Sequence, residues 1–191
     1  MRVIMRLYKY IRKRLLSPVA YAREIGVSLG ENCFVPDKET WSSEPYLITV
    51  GNHCQITAGV RIFTHGGGML LREKFPDFDS FGKVYIGNYV YIGNNALIMP
   101  GITIGDHVIV AAGSVVTKSI PSGVVVAGNP AKVVCSIEQY IERNTHLNVH
   151  TFGMSAKEKM NYIKHLPESA FIKKPNIEYS FDQKSHSIHK M

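Results

Sequence analysis

Between Ile86 and Pro121 apolar residues return every six positions. Ile86, Ile92, Ile98, Ile104, Val110 and Val116 open successive units, and Val90, Ala96, Ile102, Val108, Ser114 and Ile120 take the fifth place in each. A helix would space apolar residues three and four apart, and a half-buried strand would alternate every two. Neither period fits. A six-residue unit does suit one short strand plus a corner: the first residue points inward, Gly, Asn or Asp residues turn the chain, and the fifth residue points inward again. Three such units close a triangular coil, and coils stack by parallel strand pairing about 4.8 Å apart.

The same period runs upstream with two breaks. IGVSLG, from Ile25, is a degenerate lead-in, and LGENCF is a clear unit with Leu29 and Cys33 inward, followed by Val35. Residues 37–46 interrupt the pattern, which resumes with Val50, Ile56 and Ile62 in first place. Residues 66–83 interrupt it again with three successive glycines, a proline, mixed charges and Phe75, Phe78 and Phe81. A loop of this length inside a compact repeat is expected to fold over and carry function. After Pro121, SGVVVAGNPAKVV reads as a last strand and a turn.

Outside the repeat the period becomes helical. Residues 1–16 place Ile4, Leu7, Tyr8, Ile11 and Leu15 on one stripe and Arg2, Arg6, Lys9 and Lys13 on the opposite one, with Pro18 ending the pattern. Such a stripe either packs against protein or lies on an anionic membrane surface. Downstream, SIEQYIERN is helical, and a second helix starts at the N-cap Ser155 with Met160, Ile163 and Leu166 on one side. The expected organisation is an amphipathic helix and lead-in at 1–24, an all-β parallel β-helix at 25–137, and a helical extension and tail at 138–191.

Composition narrows the class. The chain has 191 residues, 45% of them apolar, which suits one soluble body with appendages. It has no run of 18 apolar residues and no leader followed by a small-residue cleavage site, so a cytoplasmic location is expected. Cys33, Cys54 and Cys135 make neither a disulfide framework nor a zinc set. Net charge is +7, but the excess crowds into Arg2, Arg6, Lys9, Arg12, Lys13 and Arg14 while the repeat is nearly uncharged. No aromatic and basic interleaving lines a strand, so nucleic acid is not an expected partner. His146, His150, His165, His186 and His189 fall in the extension as surface residues.

The hexad period, the phrase GVRIFTHGGG and the closing GSVVTKSIPSGVVVAGNPAKVV together resemble the left-handed parallel β-helix acyltransferases, the hexapeptide-repeat transferases, over roughly residues 25–137. Within them the chain is most similar to the O-acetyltransferases of surface-polysaccharide and lipopolysaccharide biosynthesis. The left hand comes from this resemblance alone, because the usual crossover rule predicts the opposite one. The resemblance implies direct acetyl transfer from acetyl-CoA to a sugar hydroxyl, on a polysaccharide precursor or a nucleotide-linked sugar, by a homotrimer with its active site between neighbouring subunits. Flat prism faces and open coil ends that must be covered agree with association.

Acetyl transfer requires a base for the acceptor proton, a donor for the developing oxyanion, and a slot that aligns both substrates. His65, where a strand ends and the long loop begins, matches the family's catalytic histidine, and imidazole changes charge near neutral pH. Many relatives carry an aspartate next, whereas this chain has Gly66. Glu44, in SSEPY, and Asp79, in the loop, are the candidates to hold the imidazole or a sugar hydroxyl. The resemblance lays acetyl-CoA along the later coils: Ala111, Ala112 and Gly113 beside the pantetheine amides, Thr117, Lys118 and Lys132 near the phosphates, Pro130 at the adenine end, and Tyr91, where many relatives have Trp, walling the channel. His53 and His107, at fourth places, are outward corner residues.

Other readings remain open at this point. One is an N-acetyltransferase acting on an amino sugar. A second is a β-helical zinc hydratase of the carbonic-anhydrase kind, which needs His53, His65 and His107 to converge. A third is a non-catalytic scaffold, recruited by its amphipathic N-terminus to an assembly. The leading reading expects no metal, and adds peripheral contact with the inner membrane surface through residues 1–16.

Overall fold

The computed structural model describes residues 12–176. Most of the stripe expected over residues 1–16 therefore lies outside the described residues; Arg12 to Leu15 are helical. Pro18 does more than end that helix. It occupies the first turn of a new one, α1 (Pro18–Glu24), where a missing N–H costs nothing, and the Ser17 hydroxyl caps it by accepting from the Ala20 N–H at 3.2 Å.

The hexads form the three walls of a left-handed parallel β-helix. Wall one contains β1 (Ser28–Leu29), β2 (Ile48–Val50), β5 (Val84–Ile86) and β8 (Thr103–Ile104). Wall two contains β3 (Gln55–Ile56), β6 (Tyr91–Ile92) and β9 (Ile109–Val110), continued by β11 (Val124–Ala127) and β12 (Lys132–Ser136). Wall three contains β4 (Arg61–Ile62), β7 (Leu97–Ile98) and β10 (Val115–Val116). Pairing is parallel and in register, so first-place residues stack: Val50 on Ile86 on Ile104, Ile56 on Ile92 on Val110, and Ile62 on Ile98 on Val116. The fifth-place residues Cys54, Val60, Val90, Ala96, Ile102, Val108 and Ser114 are buried beside them, whereas Cys33 is half-buried; the Ser114 hydroxyl accepts from the Gly128 N–H at 3.2 Å.

The corners have their own chemistry. At the uninterrupted corners the fourth-place residues take a left-handed backbone, with φ of 55° at Asn32, 57° at His53, 59° at Asn95, 54° at His107 and 79° at Gly101, the conformation that Gly and Asn tolerate best. Third-place side chains bridge coils at the corner between walls one and two. Asn52 Oδ1 accepts from the Glu31 N–H at 2.8 Å and Asn88 Oδ1 from the Asn52 N–H at 2.9 Å. The spacing expected Ile120 at a fifth place, but it pairs with Ile104 as a first-place residue, which brings Ser122 to the third place, where its Oγ accepts from the Asp106 N–H at 2.9 Å.

The stretch read as one strand and a turn is in fact a hairpin, with β12 running antiparallel to β11. Helix α3 (Ile137–Thr145) follows it. A second compact unit begins at Asn144 and carries α4 (Ala156–Lys164), whose Ser155 and Glu158 form a reciprocal cap. No residue of α4 is buried. Among the described residues no helix is long and apolar enough to cross a membrane.

Candidate active site

Both interruptions of the repeat emerge at one corner, between walls three and one. Thr40 lies beside β4, where its carbonyl accepts from the Ile62 N–H at 2.9 Å, so the chain from Trp41 to Leu47 crosses from wall three to β2 in wall one. The longer loop leaves after β4 and returns to β5 across the same corner. Its two limbs are pinned at the base: His65 and Phe81 form an antiparallel bridge, and the Gly82 N–H donates to the Thr64 carbonyl at 2.7 Å. A Cβ at Gly82 would stand 2.3 Å from the Gly101 nitrogen of the next coil, so the returning limb requires glycine there. Above the base the loop forms α2 (Gly68–Leu71), and Arg72 ties its far side by donating Nε–H to the Phe78 carbonyl at 2.9 Å.

His65 occupies the fourth place of its unit, equivalent to Gly101 one coil later. Its Nδ1 lies 2.8 Å from Glu44 Oε2. An ionised carboxylate offers lone pairs alone, so Nδ1 is the nitrogen that carries the bonded proton, and in the neutral ring Nε2 presents the lone pair. The same Oε2 accepts from the Thr64 hydroxyl at 2.8 Å, and the Ser43 hydroxyl stands 3.4 Å from Nδ1. The Thr64 hydroxyl, followed by His65 and Ser43, holds the Glu44 carboxyl below its ordinary value of 4.5 against the opposing effect of burial. The Phe81 ring meets the imidazole edge to face, 6.5 Å between centroids. The His65 side chain is 41% exposed and that of Glu44 18%, an arrangement in which the imidazole meets solvent and its carboxylate is sheltered.

These groups line a cleft of about 320 Å³ that also contains Met69, Arg72 and Asp79. Asp79 is thus at the site but not on the histidine: its Oδ2 faces Arg72 at 3.4 Å. Of the two carboxylates that the sequence leaves open, Glu44 is the one bonded to the imidazole.

The residues expected to meet acetyl-CoA fall into two groups. Thr117 and Lys118 follow β10 and share the corner of His65, two coils further along, roughly 10 Å down the axis. Ala111, Ala112 and Gly113 follow β9 and sit at the next corner, between walls two and three, with Tyr91 on the outer side of β6, Pro130 in the β11–β12 turn and Lys132 opening β12. The second group fits an extended ligand lying on the surface. Gly113 has φ 69° and no heavy atom within 4 Å of where its Cβ would stand, and Ala112, Lys118 and Lys132 are exposed. One chain does not unite this group with His65; they flank opposite edges of wall three.

His53 and His107 lie at the remaining corner, where they sandwich Tyr89 with ring spacings of 4.7 and 5.0 Å and interplanar angles of 6° and 3°. A phenol ring between them keeps the two imidazoles from one metal ion, and His65 is on another corner. Thr64 and Arg72 were missed by sequence reasoning. A signal for Thr64 exists in its third-place position, the place that bridges coils elsewhere.

A carboxyl held below its ordinary value contributes stability that is complete above that value and lost as pH falls through the lowered one. Glu44→Gln should therefore melt below the parent protein at neutral pH, with the gap closing as pH drops below about 4.5. At neutral pH the variant should lose roughly two orders of magnitude in kcat, because an amide cannot balance an imidazolium. Thermal melts and initial rates across pH check both.

The comparisons with known proteins agree in kind. The family model for the bacterial transferase hexapeptide (six repeats) matches residues 83–118. The chain is 44% identical over 161 residues to Protein CapG of Staphylococcus aureus, covering 83% of this chain and 93% of that one. It is 34% identical over 130 residues to galactoside O-acetyltransferase of Escherichia coli (strain K12), covering 68% of this chain and 62% of that one, so it spans less than two thirds of that enzyme. Among solved structures it is similar to a maltose O-acetyltransferase from Clostridium difficile 630, at 30% identity, TM-score 0.47, and 58% and 59% coverage.

Proposed function

We propose, on the premise that the chain belongs to the bacterial hexapeptide-repeat transferase family, that it moves an acetyl group from acetyl-CoA directly to a sugar hydroxyl, with His65 as general base. Acetyl transfer with acetyl-CoA as co-substrate follows from the family; the sugar acceptor and the role of His65 are the finer reading. The observation that carries it is the 2.8 Å bond between His65 Nδ1 and Glu44 Oε2. It leaves Nε2 free to take the acceptor's proton as that oxygen attacks the thioester carbonyl. A C–O bond forms, the C–S bond breaks, and the imidazolium, balanced by Glu44, returns the proton to the leaving thiolate. No covalent enzyme intermediate is required.

A homotrimer supports this chemistry. In a ring of copies the contact is head-to-tail, so the His65 corner of one copy can face the Ala111–Gly113 corner of the next, which supplies what a single chain separates. The Arg72–Asp79 pair in the cleft suits a neutral, hydroxyl-rich acceptor, since the guanidinium charge is already balanced and both groups can bond vicinal hydroxyls. The zinc-hydratase reading fits the geometry poorly for the reason given by the Tyr89 sandwich.

The test is release of free CoA thiol from acetyl-CoA in the presence of a panel of sugars and amino sugars. The expected result is a rate well above hydrolysis with at least one hydroxyl acceptor. Acceleration by amino sugars alone would replace the O-acetyl reading with the N-acetyl one, and failure to bind CoA in calorimetry would favour a scaffold.

A further inference from the structure

Thr64 is fully buried, yet it places a hydroxyl at the centre of the site. Three bonds radiate from this one residue. Its N–H donates to the Ser42 hydroxyl at 3.3 Å, its carbonyl accepts from the Gly82 N–H at 2.7 Å, and its own hydroxyl donates to Glu44 Oε2 at 2.8 Å. The first reaches the shorter interruption and the second the returning limb of the long loop. The third differs from the corner ladder elsewhere: Asn52, Asn88 and Ser122, also at third places, accept from the backbone of a neighbouring coil. Thr64 instead directs its hydroxyl proton at a carboxylate.

We propose that Thr64 is a positioning residue for the reaction, aiming Glu44 Oε2 at His65 Nδ1 so that the imidazole is held in the Nδ1–H tautomer with Nε2 free. This rests on the reading of His65 as general base. The two donors share one oxygen, so the position of that oxygen is over-determined by a buried group that cannot drift with solvent. Without the hydroxyl, Oε2 loses the partner that fixes its rotation, and the carboxylate can swing toward water through the open cleft. The imidazole then relaxes toward the Nε2–H tautomer that an unconstrained ring prefers, in which the nitrogen facing the acceptor carries a proton and cannot act as base. The first cause of the lowered Glu44 titration is this same hydroxyl, consistent with a bond made to the charged carboxylate.

The experiment compares Thr64→Val, nearly the same shape without the hydroxyl, with Thr64→Ser, which restores it. The expected result for Thr64→Val is a loss of about ten- to a hundredfold in kcat, KM values for both substrates within about twofold of the parent, and rescue of most of the rate by Thr64→Ser. ¹⁵N spectra of histidine-labelled protein at mildly alkaline pH supply a readout that a merely structural role would not move. The His65 signals, identified by their absence from His65→Ala, should report Nδ1–H in the parent and in Thr64→Ser and shift toward Nε2–H in Thr64→Val. An unchanged tautomer and rate in Thr64→Val overturn the proposal while leaving His65 as base intact. If Thr64→Val does not fold, an Nε2–H tautomer in the parent, or a Thr64→Ser enzyme as slow as a His65 variant, overturns it equally. An active His65→Ala enzyme would instead remove the reading on which it rests.

Discussion

His65→Ala will slow acetyl transfer by about 10³-fold, within the 10²–10⁴ that a positioned general base supplies, while CoA binds with unchanged affinity. The two halves of this expectation come from different corners of the prism. His65 stands between walls three and one, and Ala111, Ala112 and Gly113 stand between walls two and three, so truncating the imidazole leaves the small-residue corner of the same chain untouched. The fold should change little, because the His65 side chain is half-exposed and stands outside the buried core. Initial rates of thiol release and calorimetry with CoA measure the two halves. Turnover within tenfold of the parent would mean that another group takes the proton.

Ile98→Ala should cost about 2–5 kcal/mol of stability, the largest effect expected of a single conservative truncation in the prism. Ile98 is completely buried and lies in register between Ile62 and Val116. The backbone on either side is clamped: the Phe63 N–H donates to the Ile98 carbonyl at 2.9 Å and the Met99 N–H to the Val116 carbonyl at 3.0 Å. Coils held at a fixed spacing cannot close over a missing side chain, so the cavity remains. A midpoint lowered by roughly 2–4 °C per kcal/mol is expected for a chain of this size, and a denaturant titration gives the free energy. A change under 1 kcal/mol would show that the coils do collapse inward. The same substitution at Leu97, which is half-buried on the outer side of the wall, is the contrast that separates burial from position in the repeat.

The walls were legible because the period is strict. Every first-place residue from Ile86 to Val116 is buried, as is every fifth-place one from Val90 to Ser114, and an inward direction follows from spacing alone; Ile120, read as a fifth place, instead pairs with Ile104 as a first-place residue because the repeat shortens by two residues before it. The corners were less so. Tyr89 takes φ 55° at a place where Asn and Gly are the usual occupants, and nothing in the hexad announces that two histidines will enclose its ring. The partner of His65 was left between Glu44 and Asp79 because a periodic pattern says where coils run and not where interruptions go. Glu44 stands 21 residues before His65, three more than three hexads, and reaches it because the shorter interruption takes up the excess at the same corner. Asp79 is nearer in the chain, but the path of the loop gives it to Arg72. The hairpin of β11 and β12 was hidden for a related reason: it ends the repeat, and beyond the last coil no register is left to read.

The exit and return of both interruptions at one corner has an evolutionary reading. Leu29 pairs with Val50 across the shorter interruption, and Ile62 with Ile98 across the longer one, as though no loop intervened, so the prism does not sense how long the excursions are. Doubling a loop costs only about 0.6 kcal/mol in closure entropy, and insertions or deletions within 37–46 or 66–83 need not shift the phase of the repeat. The coil is a chassis, and this corner is a socket on it. Descendants can exchange the outer part of the long loop while inheriting His65 and the walls of the prism unchanged; in the shorter segment Glu44 is the residue such an exchange must keep.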